Sequence, residues 1–182
     1  MGDNTSSMID YKYIILGVAF DWGRRKGIDV FEQLRHVLTP DYCIVLVGVD
    51  EKTKGKLSQG IFCIPKTKSQ SELAALYSSA DVLVNPTRED NFPTVNIEAL
   101  ACGTPVVTFN TGGSAEMIDE SCGISVEQDD FNSLVSAIRE VCENNAINRD
   151  NCIRRSKLFD QNKKFKEYIE LYKFILAGNN NE

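Results

Sequence analysis

The sequence predicts an α/β protein, an open parallel sheet wound with helices on both faces within a single domain. Three observations predict it. Short continuous apolar runs, such as 13–19 (Y-I-I-L-G-V-A) and 43–48 (C-I-V-L-V-G), are the mark of strands buried on both faces. They alternate with segments of helical periodicity, the βα rhythm that joins parallel strands through crossover helices. The 182 residues suit one domain with a good-sized core, and neither an internal repeat nor a linker divides them.

The elements follow in order. After the strand at 13–19, Ile28, Phe31, Leu34, Val37 and Leu38 recur at helical spacing, and Pro40 stops that helix. The strand at 43–48 leads into a lysine-rich polar loop, 50–59, and a short strand at 61–64 that Pro65 ends. A helix at 71–80 is capped by Ser69 or Ser71. Strands follow at 81–85 and 106–109, with a helix at 95–101 between them. A Gly112-Gly113 turn, a short helix around Glu116 and a strand at 123–126 come next. Helices at 131–142, 147–159 and 165–176 complete the domain; the first carries Leu134, Ala137, Ile138 and Val141 on one face. Residues 1–10 read as a flexible leader, 11–177 as the domain and 178–182 as a polar tail. Gly2 and Ser6 also match the loose myristoylation pattern, which short polar tails often satisfy.

Composition narrows the function. At 42% hydrophobic and 25% charged, the chain is an ordinary globular protein. A net charge of -6 argues against general nucleic-acid binding, so any phosphate on a ligand needs a local cluster of donors. No apolar run approaches the ~20 residues that span a bilayer, and no signal peptide is visible. Cytoplasmic placement is therefore expected. The six cysteines form no C-x-x-C and sit in apolar or helical runs, as small buried hydrophobes do in a reducing compartment. With His36 the only histidine, no metal site and no disulfide are expected. His36 itself falls near the C-terminal end of the first helix, a favourable place for its charge.

The most distinctive stretch is 90–105, D-N-F-P-T-V-N-I-E-A-L-A-C-G-T-P, in which seven residues separate Asp90 from Glu98. Pro93 lies in the loop between them, and a helix follows. Such a turn suits a ligand bearing both phosphate and hydroxyl groups. The free N–H groups of the helix start face an anion, and the acids accept hydrogen bonds from hydroxyls. Read alone, the same pair also describes a cap and a solvated helix charge. Glu98, however, lies among small and apolar residues, where an unpaired buried charge is costly. It should face a partner or a cleft.

Two further loops fall at carboxyl ends of strands, where such sheets bind ligands. Loop one, F-D-W-G-R-R-K-G, holds Arg24, Arg25 and Lys26 between Gly23 and Gly27. These cations could make charge-assisted bonds to phosphate; a solvated basic turn has the same composition. Trp22 reads equally as a lid over the core. No G-x-G-x-x-G is present, against a dinucleotide site of the usual kind. Loop three, N-T-G-G-S-A-E, offers through Gly112 and Gly113 either an anion-binding nest of free N–H groups or a plain strand-to-helix turn.

Together these loops resemble the nucleotide-binding half of the retaining GT-B glycosyltransferases, the glycosyltransferase group 1 family. The family pattern E-G-F-G-L-x-x-x-E-A-M-A-C-G-T-P-V-V is met here by D-N-F-P-T-V-N-I-E-A-L-A-C-G-T-P-V-V, residues 90–107. The approach S-S-A-D-V-L-V-N-P-T-R-E and the turn G-G-S-A-E also match, and the resemblance covers 13–176.

The resemblance implies a Rossmann-like domain, the C-terminal half of a GT-B fold, binding the nucleotide-sugar donor. It implies that Glu98 accepts from the ribose hydroxyls and that Asp90 lies near the donor sugar, with Glu89 beside it as an alternative. Backbone N–H groups across Asn91, Phe92, Pro93, Thr94 and Val95 would meet the diphosphate, beside Lys26 and the Gly112-Gly113 turn. The base would lie near Ile64 and Pro65. The family's phosphate-binding arginine falls on Asp21, leaving Arg24 and Arg25 as replacements.

The implied reaction moves a sugar from a nucleoside diphosphate to a glycan or lipid-linked acceptor with retention, without metal or cofactor. Its partner is an N-terminal acceptor domain absent from this chain, without which donor binding but no transfer is expected. Peripheral membrane association is an expectation for the full-length protein. Two other readings are half of a nucleotide-sugar epimerase, which lacks the A-C-G-T-P context, and a non-catalytic nucleotide-binding domain.

Overall fold

The computed structural model describes residues 11–144 and 147–178; the leader, its myristoylation pattern and the last four residues lie outside these. Six strands form one parallel sheet: β1 (Tyr13–Val18), β2 (Tyr42–Val47), β3 (Ile61–Ile64), β4 (Val82–Asn85), β5 (Val106–Phe109) and β6 (Gly123–Val126). Their order is β3-β2-β1-β4-β5-β6, and every neighbouring pair is parallel. The order reverses between β1 and β4. The loops that leave those two strands diverge there and open the crevice that doubly wound sheets use for ligands.

The helices are α1 (Ile28–Val37), α2 (Glu51–Lys54), α3 (Gln70–Ser79), α4 (Thr94–Ala101), α5 (Phe131–Asn144), α6 (Arg149–Ser156) and α7 (Gln161–Gly178). Because successive strand residues point to opposite faces, one apolar run feeds two cores. On one face Ile15, Ile44, Val84 and Phe109 pack against Phe31 and Leu34 of α1 and Leu134 and Ile138 of α5. On the other Leu16, Val45, Leu83 and Val106 pack against Tyr77 of α3, Ala99 and Leu100 of α4 and Cys152 of α6. Trp22 is a wall of the first core rather than a ligand group. Its indole N–H donates to the Val47 carbonyl at 2.8 Å, and its ring meets Phe31 edge-on.

Several boundaries differ from the sequence reading. The polar stretch 50–59 contains α2, because the Asp50 side chain accepts from the Thr53 N–H and caps a turn. Ser69, not Ser71, caps α3. The segment 147–159 is not one helix: α6 stops at Ser156 and continues as a 3-10 turn, Lys157–Phe159. α7 is longer than its apolar pattern and exposes Phe165, Tyr168, Tyr172 and Phe174. All six cysteines are free, and burial pushes the Cys43 thiol up to about 11 and those of Cys142 and Cys152 up to about 12.

Gly17 interrupts the apolar run of β1 for a packing reason. A Cβ there would lie 2.6 Å from the tip of Phe31 and 2.7 Å from a Leu46 methyl. Gly17→Ala is therefore expected to lower stability by about 1–3 kcal/mol through overpacking. The shift of the urea unfolding midpoint measures it.

Candidate functional site

The site is assembled where loop one, after β1, meets the loop after β4. Arg24–Lys26 form a single 3-10 turn that closes at Gly27, whose left-handed backbone (φ 74°) also begins α1. A Cβ on Gly27 would stand 2.4 Å from the Pro86 carbonyl oxygen, so only glycine lets the two loops approach this closely. The contact brings the Lys26 ammonium onto the Asp90 carboxylate, with each side chain 19% exposed. Arg25 reaches the Glu89 carbonyl at 3.3 Å, while Glu89 itself is exposed. Asp90, not Glu89, is thus the acid set against Lys26. Arg24 is exposed.

Sequence reasoning passed over Arg88, which clamps these loops. Its guanidinium donates to both Asp29 oxygens at 2.8 and 2.9 Å, to Asp129 at 2.7 Å and to the Arg24 carbonyl at 2.5 Å. Its backbone N–H donates to the Arg25 carbonyl at 2.8 Å. Burial pushes the Asp29 carboxyl up, but the Arg88 hydrogen bonds and charge more than offset this, and the group sits below its ordinary 3.8. Only the i, i+3 or i+4 pairs of a helix would have been visible in the sequence. The separation of 59 positions along the chain between Asp29 and Arg88 hides this one.

In loop three, two of the N–H groups that could form an anion nest are already taken. The Gly113 N–H donates to the Asn91 carbonyl at 3.1 Å and the Ser114 N–H to Thr111 at 3.0 Å. A Cβ on Gly112 would lie 1.9 Å from the Asp90 carbonyl oxygen. The two glycines serve close backbone approach and hold Asp90 and Asn91 from behind. Beneath them runs a buried amide ladder, also unforeseen. Asn85 donates to Asn96 at 2.8 Å, Asn96 reaches the Ser114 carbonyl at 3.5 Å, and Thr108 donates to the Asn85 carbonyl at 2.8 Å. Ser114 Oγ is the one buried side-chain oxygen without a partner among the described residues.

The start of α4 faces the same crevice. Its N-cap is Pro93, which supplies no side-chain cap, whereas Asp50, Ser69 and Asn148 each cap their helices. The expected run of donors at 91–95 is shorter than the sequence suggested. Pro93 has no N–H, and the Phe92 N–H donates to Asp90 at 3.2 Å. The amides of Thr94 and Val95 have no acceptor among the described residues. Glu98 stands one turn further along α4. Its carboxylate accepts from the buried Tyr77 hydroxyl at 3.0 Å, and burial, followed by the Glu98 charge, pushes that phenol up. Glu98, Val95, Pro65, Gly48 and Phe20 line a cleft of about 590 Å³. Ile64 lies just below it, its carbonyl accepting from the Gly48 N–H at 2.9 Å. Lys26 and Asp90 are not on the walls of this cleft; the start of α4 links the two places.

Fold and site define a doubly wound α/β domain with a mostly apolar cleft, carrying Glu98 on its wall, beside its topological switch point. The chain belongs to the glycosyl transferases group 1 family, whose sequence profile matches residues 18–159. It is 40% identical to glycogen synthase of Mycobacterium tuberculosis over 77 residues, 42% of this chain and 19% of that protein. It is 49% identical to D-inositol 3-phosphate glycosyltransferase of Paenarthrobacter aurescens over 57 residues, 31% of this chain and 14% of that protein. Sucrose-phosphate synthase of Thermosynechococcus elongatus superposes with a TM-score of 0.77 at 29% identity, covering 91% of this chain and 46% of that one. Anabaena Alr3699/HepE, solved with UDP-glucose, shares the fold at a TM-score of 0.70 and 16% identity, covering 87% and 49%. The chain is thus a glycosyltransferase group 1 domain and spans less than half the length of these proteins. Among the described residues no helix is long and apolar enough to cross a membrane.

Two outcomes follow from this geometry. Asn96→Ala strands the buried Asn85 amide and is expected to cost about 1–3 kcal/mol, read as a lowered urea midpoint. Asp29, held below 3.8 in the fold, adds stability that is present above that pH and lost as pH falls through its folded value. Asp29→Asn should therefore melt earlier than the parent at neutral pH, and the gap in thermal midpoint should close as pH drops below 3.8.

Proposed function

We propose that this domain holds the nucleoside-diphosphate-sugar donor of a retaining glycosyltransferase. The observation that carries the reading is the arrangement along α4. At its start, two unpartnered amides lie beside a loop that brings in a lysine. One turn on, Glu98 opens onto a cleft edged by Pro65. A helical turn rises about 5.4 Å, a span that separates a ribose from its phosphates. The diphosphate is assigned to the Thr94 and Val95 amides and Lys26, with Arg24 and Arg25 exposed nearby. The ribose hydroxyls are assigned to Glu98 and the base to the wall at Pro65 above Ile64. Family membership and the UDP-glucose bound by Alr3699/HepE support this placement.

The chemistry follows from the charges. As the sugar departs, negative charge gathers on the diphosphate, and the Lys26 ammonium and helix-start dipole stabilise it in place. Asp90 engages Lys26 until phosphate competes for it. It is then free to orient the donor sugar and to face positive charge at the reacting carbon, without forming a covalent bond. Tyr77 fixes the rotamer of Glu98. Gly112 and Gly113 support the Asp90–Asn91 backbone. Transfer requires an acceptor-binding domain, so the isolated chain binds donor without turning it over.

Calorimetric titration with UDP-, GDP- and ADP-sugars tests the reading. One of them is expected to bind, with sugar transfer absent. Glu98→Ala should weaken that ligand roughly ten- to hundredfold, the loss of hydrogen bonds to a charged group. Unchanged affinity in Glu98→Ala would refute the ribose assignment, and robust turnover by the isolated chain would refute the need for a second domain.

A further inference from the structure

We propose that Arg88 is a positioning residue for phosphate recognition: through Asp29 and the Arg24 carbonyl it sets the turn that presents Lys26. The inference rests on the donor-binding reading above and adds a residue to it. Arg88 lies two residues before Asp90 and bonds the carbonyls of Arg24 and Arg25 beside Lys26, so a direct phosphate contact is the first idea to test. The geometry argues against it. The guanidinium has five N–H donors, and four are engaged: one on Asp129, two on Asp29 and one on the Arg24 carbonyl. The side chain is 14% exposed. A fork saturated in this way has little left for a ligand, whereas Arg24 and Arg25 are exposed.

What Arg88 touches is the frame of loop one. Its head holds the Arg24 carbonyl, and its backbone N–H holds the Arg25 carbonyl. Asp29, in the first turn of α1, receives both prongs of the fork. Asp129, the one described non-glycine residue with a positive φ, at 63°, supplies the third anchor from the loop after β6. The turn between is short and otherwise weakly built. It consists of three residues, none buried, closed by the Lys26 and Gly27 amides on Gly23 and Arg24 at 3.0 and 3.1 Å. Without the clamp, the Arg24 carbonyl keeps only the Gly27 N–H, a bond inside the turn that ties it to no other element. Lys26 would then sample positions away from the start of α4. A cation that must be ordered on binding contributes less than one held ready.

The test turns on charge. Asp29→Asn removes a negative charge near the site, so bulk electrostatics predicts tighter binding of an anion. The clamp predicts weaker binding, because Arg88 loses its anchor. Parent, Asp29→Asn, Arg88→Met and Arg88→Lys chains are titrated with UDP, GDP and ADP and with the matching nucleosides. Amide hydrogen exchange is followed at Lys26 and Gly27. Expected results are a loss of roughly tenfold or more for the diphosphate in Asp29→Asn and Arg88→Met, and an intermediate loss in Arg88→Lys. Nucleoside affinity should be unchanged and exchange at the two amides faster. Asp29→Asn binding the diphosphate as tightly as the parent, or unchanged exchange in Arg88→Met, would overturn the proposal. Equal losses for diphosphate and nucleoside would also overturn it, since they mark general unfolding. If the parent binds none of the diphosphates, the donor reading fails, and the exchange rates alone decide whether Arg88 sets the turn.

Discussion

The close approach of two backbones, Gly27 against Pro86, is the constraint from which the site follows. In a doubly wound sheet the loops after β1 and β4 run apart, since their crossovers go to opposite directions along the sheet. Something must draw them together before residues from both can act on one ligand. Here a missing Cβ permits the approach, and the Lys26–Asp90 ion pair and the Arg88 clamp lie on either side of it. Surface ion pairs contribute little on their own. These are partly shielded, Arg88 bridges two carboxylates at once, and their consequence is geometric: they fix where a cation and a carboxylate stand relative to the start of α4.

α4 itself is held from beneath. Asn85 and Asn96 carry hydrogen bonds that must be complete, because a buried amide without partners is expensive. That requirement ties the helix to β4, to β5 through Thr108 and to loop three through Ser114. Above the ladder the helix leaves its first amides open. The contrast between a fully paired underside and an unpaired start suits a rigid element offering fixed dipoles to a ligand, at no cost of reorganisation when charge develops. Glu98, held by Tyr77, extends the same rigidity one turn further.

Arginine carries an unexpected share of this fold. Arg35 reaches the carbonyls of Leu38 and Tyr42, Arg149 those of Ser78 and Cys102, and Arg155 those of Glu116 and Met117. With Arg88 they bridge carbonyls of separate loops and element ends. Their planar forks suit this bridging better than lysine would. In the sequence each looks like an ordinary solvated charge.

Much was legible in advance. Continuous apolar runs marked the strands, because a strand buried on both faces needs no polar alternation. The stretch around Asp90 and Glu98 marked the crevice, because its pattern of acids, proline and small residues is local. Other features were decided only by the tertiary structure. Asp90 rather than Glu89 meets Lys26 because of how loop two turns. The Gly113 amide is occupied because Asn91 arrives from another loop. Arg88 finds Asp29 and Asp129 across 59 and 41 residues, and α7 leaves its aromatic side chains exposed although its periodicity resembles that of a buried helix. The division has one physical reason. Strand and helix formation, and a motif within a single turn, depend on neighbours along the chain. Which charge meets which, and which donor stays open, depends on groups brought together only when the sheet is built.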